Sequence, residues 1–223
     1  MQFNRYIDHT VLKPTTLITD IDKLCAEAKA YDFAAVCVPP PFVKLAKQLL
    51  EGSNTKTATV IGFPFGYSPI EAKIAEILLG MIDGADELDM VINLIALKNS
   101  DWQYLANEIG HVMPVVKQKN KIIKIIIESG VLTDAEIIKC CDLYGAAGID
   151  YLKTSTGYAE KGATLEAVQL FRKHLPDHVK IKASGGIRTY EFAKELVDAG
   201  AERLGCSAGV SIMQQTVNND NGY

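Results

Sequence analysis

Two lysines sit where lysines are costly. Lys153 ends the apolar stretch Tyr151-Leu152-Lys153, which turns polar through Thr154-Ser155-Thr156 and breaks at Gly157. Lys182 repeats the setting in Lys180-Ile181-Lys182-Ala183-Ser184-Gly185-Gly186. Burial disfavours an ammonium and lowers its pKa, and that is how a lysine becomes a nucleophile at neutral pH. The pair points to amine chemistry, with a set of salt bridges as the alternative. Asp89, in Glu87-Leu88-Asp89-Met90-Val91-Ile92-Asn93, is a carboxylate flanked by apolar residues. It could balance the lysines and move protons, or serve only as an ion-pair partner. Lys124 has the same apolar flanks and is a candidate for this network, unless it lies at a solvent-exposed mouth. Cys37 in Val36-Cys37-Val38 is foremost a packing residue and secondarily a candidate near the lysines. His9, after Asp8, is either hydrogen-bonded structure or a ligand contact.

Something must hold these groups. Strand-like segments fall at 6–10, 34–38, 57–62, 87–92, 121–128, 151–154, 180–183 and 203–205, most of them short, apolar and β-branched, as strands buried on both faces are. Helical spacing appears between them in Ile21-Leu24-Cys25-Ala28, Phe42-Leu45-Ala46-Leu49, Ile70-Ile74-Ile77-Leu78-Met81, Ile137-Ile138-Cys141-Tyr144, Leu165-Val168-Phe171 and Phe192-Leu196-Val197. Thr133 followed by Glu136 is a capping-box pattern. Gly145, Gly148 and Gly200 sit where helices should end. A faint repeat, Gly-Ala-Asp at 84–86, Gly-Ile-Asp at 148–150 and Gly-Ala-Glu at 200–202, precedes three strands. Alternation on this scale predicts an α/β fold, a (β/α)8 TIM barrel in a single domain over 1–223. An open doubly wound sheet would want a glycine-rich loop after the first strand, and Asp8-His9-Thr10-Val11-Leu12-Lys13-Pro14 is not one.

A barrel of this kind carries its site at the C-terminal ends of the strands. Side chains alternate along a strand, so an inward Lys153 brings Tyr151 and Ser155 inward and sends Leu152 and Thr154 out. An inward Lys182 carries Ser184 with it, making the two lysines neighbours that depress each other's ionisation. Asp89 points inward by the same parity. Two glycine-rich loops follow the last two strands, Ser184-Gly185-Gly186 and Gly205-Cys206-Ser207-Ala208-Gly209. Backbone N–H groups at such loops bind phosphate, so the substrate is expected to be phosphorylated.

Composition narrows the class. A chain of 223 residues that is 48% hydrophobic and 22% charged can bury a large core as a globular domain. Its net charge of −4, with both signs mixed, argues against a nucleic-acid partner. The run Lys117, Lys119, Lys121, Lys124 is expected to be mostly a solvated helix end. No apolar leader opens the chain and no segment is long enough to span a membrane. Five cysteines without zinc-like spacing suggest reduced thiols in the cytoplasm, and the scattered histidines offer no zinc pair.

The chain resembles the deoxyribose-phosphate aldolases in their short bacterial form, nearly end to end. The resemblance rests on an ordered set: Tyr6-Ile7-Asp8-His9-Thr10 with Leu12-Lys13-Pro14, Val36-Cys37-Val38, Val60-Ile61-Gly62-Phe63-Pro64, the segment 87–93, Lys153-Thr154-Ser155-Thr156-Gly157, and Lys182-Ala183-Ser184-Gly185-Gly186-Ile187-Arg188. It implies a metal-free class I aldolase without cofactor. The implied reaction is reversible cleavage of 2-deoxy-D-ribose 5-phosphate to D-glyceraldehyde 3-phosphate and acetaldehyde. Lys153 matches the Schiff-base lysine, Lys182 the lysine that keeps it deprotonated, and Asp89 the carboxylate of the proton relay. Substrate and phosphate contacts are expected from Thr156, Gly157, Ser184, Gly185, Gly186, Gly205, Cys206 and Ser207. Lys161 stands where relatives commonly carry glycine, Cys206 where Thr or Ala is usual, and Pro39-Pro40-Pro41 is unusually proline-rich. Lys161 could add a phosphate contact or simply be exposed. The polar end, about 215–223, reads as a mobile tail whose Tyr223 either frays or joins proton transfer. Two rival functions stay open: another Schiff-base barrel aldolase, and a non-catalytic barrel that binds sugar phosphates. The outer helix faces do not separate into solvent and interface, so assembly, a homodimer included, stays open too.

Overall fold

The computed structural model describes residues 2–216; Tyr223 and the rest of 217–223 lie outside them. Eight parallel strands close on themselves in chain order. They are β1 (Ile7–Thr10), β2 (Ala35–Val38), β3 (Lys56–Ile61), β4 (Glu87–Val91), β5 (Ile122–Ile126), β6 (Tyr151–Lys153), β7 (Lys180–Ser184) and β8 (Arg203–Cys206). The helices around them are α1 (Ile18–Ala30), α2 (Val43–Leu49), α3 (Ile70–Ile82), α4 (Leu94–Lys98), α5 (Trp102–Gln118), α6 (Asp134–Ala147), α7 (Leu165–His174), α8 (Tyr190–Asp198) and α9 (Gly209–Gln214). No helix among the described residues is long and apolar enough to cross a membrane.

Outward strand residues such as Val36, Leu88, Ile123, Ile125, Leu152 and Ile181 pack with the buried faces of the helices in one large core. Inside, the barrel divides. Ala35, Cys37, Ala58 and Val60 of β2 and β3 form a small apolar cluster with Leu12. The other strands fill the interior with charge. Small side chains on one wall leave room for long lysines reaching from the opposite one.

Helix boundaries follow local chemistry. Thr133 and Glu136 form the expected capping box on α6. That helix ends at Gly148, which adopts φ 70° as a left-handed cap. Gly145 does not end a helix; it lies inside α6, where a Cβ would come within 2.8 Å of Pro176. Residues 102–118, not among the expected helices, form the longest one. Its apolar stripe Leu105, Ile109, Val112, Met113 and Val116 is regular, but Pro114 interrupts it. A proline inside a helix removes one backbone bond and ordinarily argues against one; here the buried stripe outweighs that loss.

Candidate active site

Lys153 and Lys182 are direct register partners on β6 and β7. Each donates to the same carboxylate oxygen: Lys153 Nζ to Asp89 Oδ2 at 2.8 Å and Lys182 Nζ to Asp89 Oδ2 at 2.7 Å. The other Asp89 oxygen accepts from Lys124 Nζ at 2.7 Å. Lys124 is fully buried in β5, so it joins the network and parts from the solvated run that precedes it. Four groups from four strands thus converge, as parity requires.

Exposure separates the three lysines. Lys124 and Lys182 have none, whereas Lys153 keeps 3%. Ionisation separates them as well. Burial holds the Lys153 ammonium below the ordinary lysine range; Asp89 opposes that and the Lys182 charge adds to it. Desolvation is therefore the larger cause and Lys182 the smaller. Lys182 goes the other way. Burial works against its charge, but Asp8 and Asp89 outweigh it and hold the ammonium well above its usual range. This corrects the expectation of mutual depression: Lys182 lowers Lys153 without being lowered in return, because Asp8 is bonded to Lys182. Lys124 is likewise held up against burial by Asp89 and Glu87. Against its own burial, Asp89 is held well below the carboxylate range by Lys124, Lys153 and Lys182.

Sequence reasoning missed the second half of this lattice. Asp8, the last-strand Arg203 and Glu87 all face the interior. Arg203 donates to Asp8 Oδ1 and to Glu87 Oε1, each at 2.6 Å. Glu87 lies 2.6 Å from Lys124. The signal was available, since Asp8, Glu87 and Arg203 are charges in apolar strands at the inward parity, as Lys153 is. Glu128, beyond β5, was also missed. It adopts φ 54°, uncommon outside glycine, and receives both the backbone N–H and the hydroxyl of Thr156. Burial pushes its carboxyl upward.

The two glycine loops meet. A cavity of about 220 Å³ is lined by Gly157, Gly185, Gly186, Gly205, Cys206 and Ser207, together with Arg188. Gly162 and Gly185 touch so closely that a Cβ on Gly162 would lie 2.3 Å from the Gly185 carbonyl oxygen, and Ala163 N donates to that oxygen at 3.1 Å. Gly205 has a different reason to be glycine: Lys182 Cε and Ser184 Oγ occupy the place of its side chain, at 3.1 and 2.4 Å from an ideal Cβ. Thr156 and Ser184 lie outside this lining. The Thr156 hydroxyl is engaged by Glu128 and by Tyr158 N. The hydroxyls of Ser184 and Ser155 are buried and have no hydrogen-bond partner among the described residues. Burial pushes the Cys206 thiol up to about 12, so it adds no charge to the cavity.

Other expected residues fall elsewhere. Cys37 is buried in the inner apolar cluster, its thiol pushed up to about 11 by burial and by Asp89. His9 faces α1, pairing with Glu27 at 2.8 Å, away from the lysines. Lys161 lines a separate groove with Ser129, Gly130 and Lys173 rather than the glycine-loop cavity. Pro39 and Pro40 line a third hollow of about 340 Å³ with Leu12, Val60, Phe63 and Tyr158.

A closed parallel barrel in which a buried lysine of lowered pKa shares a carboxylate oxygen with a charged one, near an anion-sized glycine pocket, defines a class I aldolase barrel. Over residues 4–216 the chain matches the model of the DeoC/LacD family aldolases, and it belongs to that family. It is 50% identical over 212 residues to a deoxyribose-phosphate aldolase of Thermococcus kodakarensis, covering 94% of this chain and 95% of that one. It is 46% identical over 221 residues to the deoxyribose-phosphate aldolase of Lactococcus lactis subsp. lactis, covering 99% and 100%. The structure described as a unique tetrameric deoxyribose phosphate aldolase from Aeropyrum pernix superposes with a TM-score of 0.88 at 31% identity, over 95% of this chain and 89% of that one.

Proposed function

We propose that this aldolase cleaves 2-deoxy-D-ribose 5-phosphate to D-glyceraldehyde 3-phosphate and acetaldehyde, with Lys153 as nucleophile. The observation that carries the assignment of roles is the shared oxygen of Asp89, which sets Lys153, its pKa lowered by burial, beside Lys182, whose ammonium Asp8 and Asp89 hold well above its usual range. Neutral Lys153 adds to the C1 aldehyde, and loss of water leaves a protonated imine. A base removes the C3 hydroxyl proton; the C2–C3 bond breaks, its electron pair enters the imine, and glyceraldehyde 3-phosphate leaves. The remaining enamine takes a proton at C2, and water then releases acetaldehyde and restores Lys153. Asp89 and Lys182, through water, are the groups poised to carry those protons. Lys124 holds Asp89 in place, and Cys37 acts by packing.

The phosphate is assigned to the cavity of Gly157, Gly185, Gly186, Gly205, Cys206 and Ser207, where backbone N–H groups and the Arg188 side chain favour an anion. The Ser184 hydroxyl, two residues beyond Lys182 and without a hydrogen-bond partner among the described residues, is left to the substrate. One catalytic domain, a cytoplasmic setting and a homodimer complete the proposal. Leu79 and Ile82 of α3, with Ile95 of α4, are 61%, 78% and 60% exposed and support self-association; light scattering tests it.

The decisive experiment incubates the protein with acetaldehyde and borohydride and maps the modified peptide. A stable ethyl adduct on Lys153 is expected, together with acetaldehyde release from deoxyribose 5-phosphate in a coupled assay. An adduct on another lysine refutes the assignment of the nucleophile. Adduct on Lys153 without acetaldehyde release points to a different phosphorylated sugar.

A further inference from the structure

The barrel interior carries more charge than the reaction uses. Asp8, Glu87 and Asp89 face Lys124, Lys153, Lys182 and Arg203 in one connected lattice, three acids against four bases. All seven are buried, Arg203 keeping 6% exposure and the rest 3% or less. A buried cluster with unbalanced charge is costly. Three of the bases meet at least two carboxylates each: Lys124 meets Glu87 and Asp89 closely and Asp8 at 3.8 Å, Lys182 meets Asp8 and Asp89, and Arg203 meets Asp8 and Glu87. Lys153 has one contact, with an oxygen it shares with Lys182. Balance is reached when Lys153 is the base that gives up its proton.

We infer that Arg203 is a positioning residue of the aldolase: its guanidinium, clamped between Asp8 and Glu87, completes the positive charge that the three buried carboxylates require and so leaves Lys153 uncharged. Arg203 and Glu87 open β8 and β4, at the end of the barrel opposite the glycine loops, and neither bonds Lys153. Their effect travels through charge. Guanidinium suits the task because it stays protonated in any buried setting and its fork reaches both acids at once. A lysine there could itself surrender the proton and leave Lys153 charged. The other ionisable groups around the lattice are Cys37 of β2, Tyr151 of β6, Cys206 of β8 and Glu128 beyond β5. Burial disfavours charge on each of them. β3 contributes only Ala58 and Val60 to the inner cluster.

This inference rests on Lys153 being the nucleophile, which is checked first by locating the acetaldehyde–borohydride adduct in the wild-type protein. The rate of adduct formation is then measured against pH in wild type, Arg203→Met, Glu87→Gln and the double variant, each confirmed folded by circular dichroism and thermal melting. Arg203→Met leaves three acids with two anchored bases, so Lys153 keeps its proton. The acid limb of the profile is expected to move up by about one pH unit, the size of an unpaired charge several ångströms away. Glu87→Gln removes one acid, and in the double variant the limb is expected to return to within a few tenths of a unit of wild type. A merely structural role predicts the opposite order, with the double variant the worst and no movement of the limb. An unmoved limb in folded Arg203→Met, or a double variant displaced as far as the single, overturns the inference while leaving Lys153's assignment intact. An adduct elsewhere than Lys153 overturns both.

Discussion

Replacing Lys182 by leucine isolates the electrostatic part of the site. Lys153 and Lys182 bond one oxygen of Asp89 at 2.8 and 2.7 Å, which places the two nitrogens about 5 Å apart at ordinary hydrogen-bond angles. Two unit charges at that separation repel by about 3 kcal/mol at an effective dielectric constant of about 20, or roughly two pH units. Lys182 is held charged by Asp8 and Asp89, so the repulsion is present in the wild-type protein. Leucine removes it, and the freed Asp8 and Asp89 attract a proton onto Lys153 besides. The pKa of Lys153 must therefore rise. At neutral pH the reactive amine fraction falls by about a hundredfold, and turnover falls further because a proton carrier is gone. The assay is trapping of the acetaldehyde imine with borohydride across pH, where the acid limb of Lys182→Leu should lie about two units above wild type. Desolvation survives the substitution and is the larger cause of the Lys153 shift, so the limb should still lie below that of a free lysine. A limb at the wild-type position, or residual turnover near wild type, would refute a charged Lys182 as the tuning group.

Three further outcomes follow from the geometry. Gly205→Ala puts a methyl where Ser184 Oγ and Lys182 Cε lie; turnover should drop by about tenfold to a hundredfold, the usual cost of displacing a reacting group by an ångström, and unchanged steady-state kinetics would contradict it. Lys73, fully buried on α3, donates to Glu108 at 2.6 Å and to the Val91 carbonyl at 2.7 Å, so Lys73→Met should cost about 3–5 kcal/mol in urea denaturation, with Lys73→Met/Glu108→Leu recovering part of it. On acidification, Asp8 and Asp89 are the groups to watch, because both are held below their ordinary value of 3.8. Their contribution is fully present above that value and is lost as pH falls below it toward the folded-state values. Glu108 and Glu128, pushed upward by burial, work in the opposite sense nearer neutrality. Melting temperature should accordingly change little from pH 7 to 5 and fall steeply below 4; a steep fall already complete at pH 5 would exclude the two aspartates as its cause.

Strand count and the inward parity of Lys153, Lys182 and Asp89 were legible because each depends on local pattern. A charge in a β-branched run, alternation with period two, and a Thr–Glu capping box need no partner elsewhere in the chain. The lattice resisted for the converse reason. Asp8 and Arg203 stand 195 positions apart, and nothing in either strand records that closure of the barrel makes β1 and β8 neighbours in register. Glu128 reads as the end of a strand, whereas its left-handed backbone and its bonds to Thr156 exist only once β6 lies beside β5. Thr156 shows the same limit from the other side: its position beside Lys153 suggested substrate, and a buried carboxylate claimed its hydroxyl.

The sequence by itself determined that this chain would bury lysines in a parallel barrel and that the glycine loops after β7 and β8 would share one rim. Only the tertiary structure decided which lysine has its pKa lowered and which have theirs raised. That outcome depends on how many carboxylates each ammonium touches, and those contacts come from strands spread across the whole chain. Lys124 and Lys182 each find at least two acids, Lys153 shares a single oxygen, and burial does the rest.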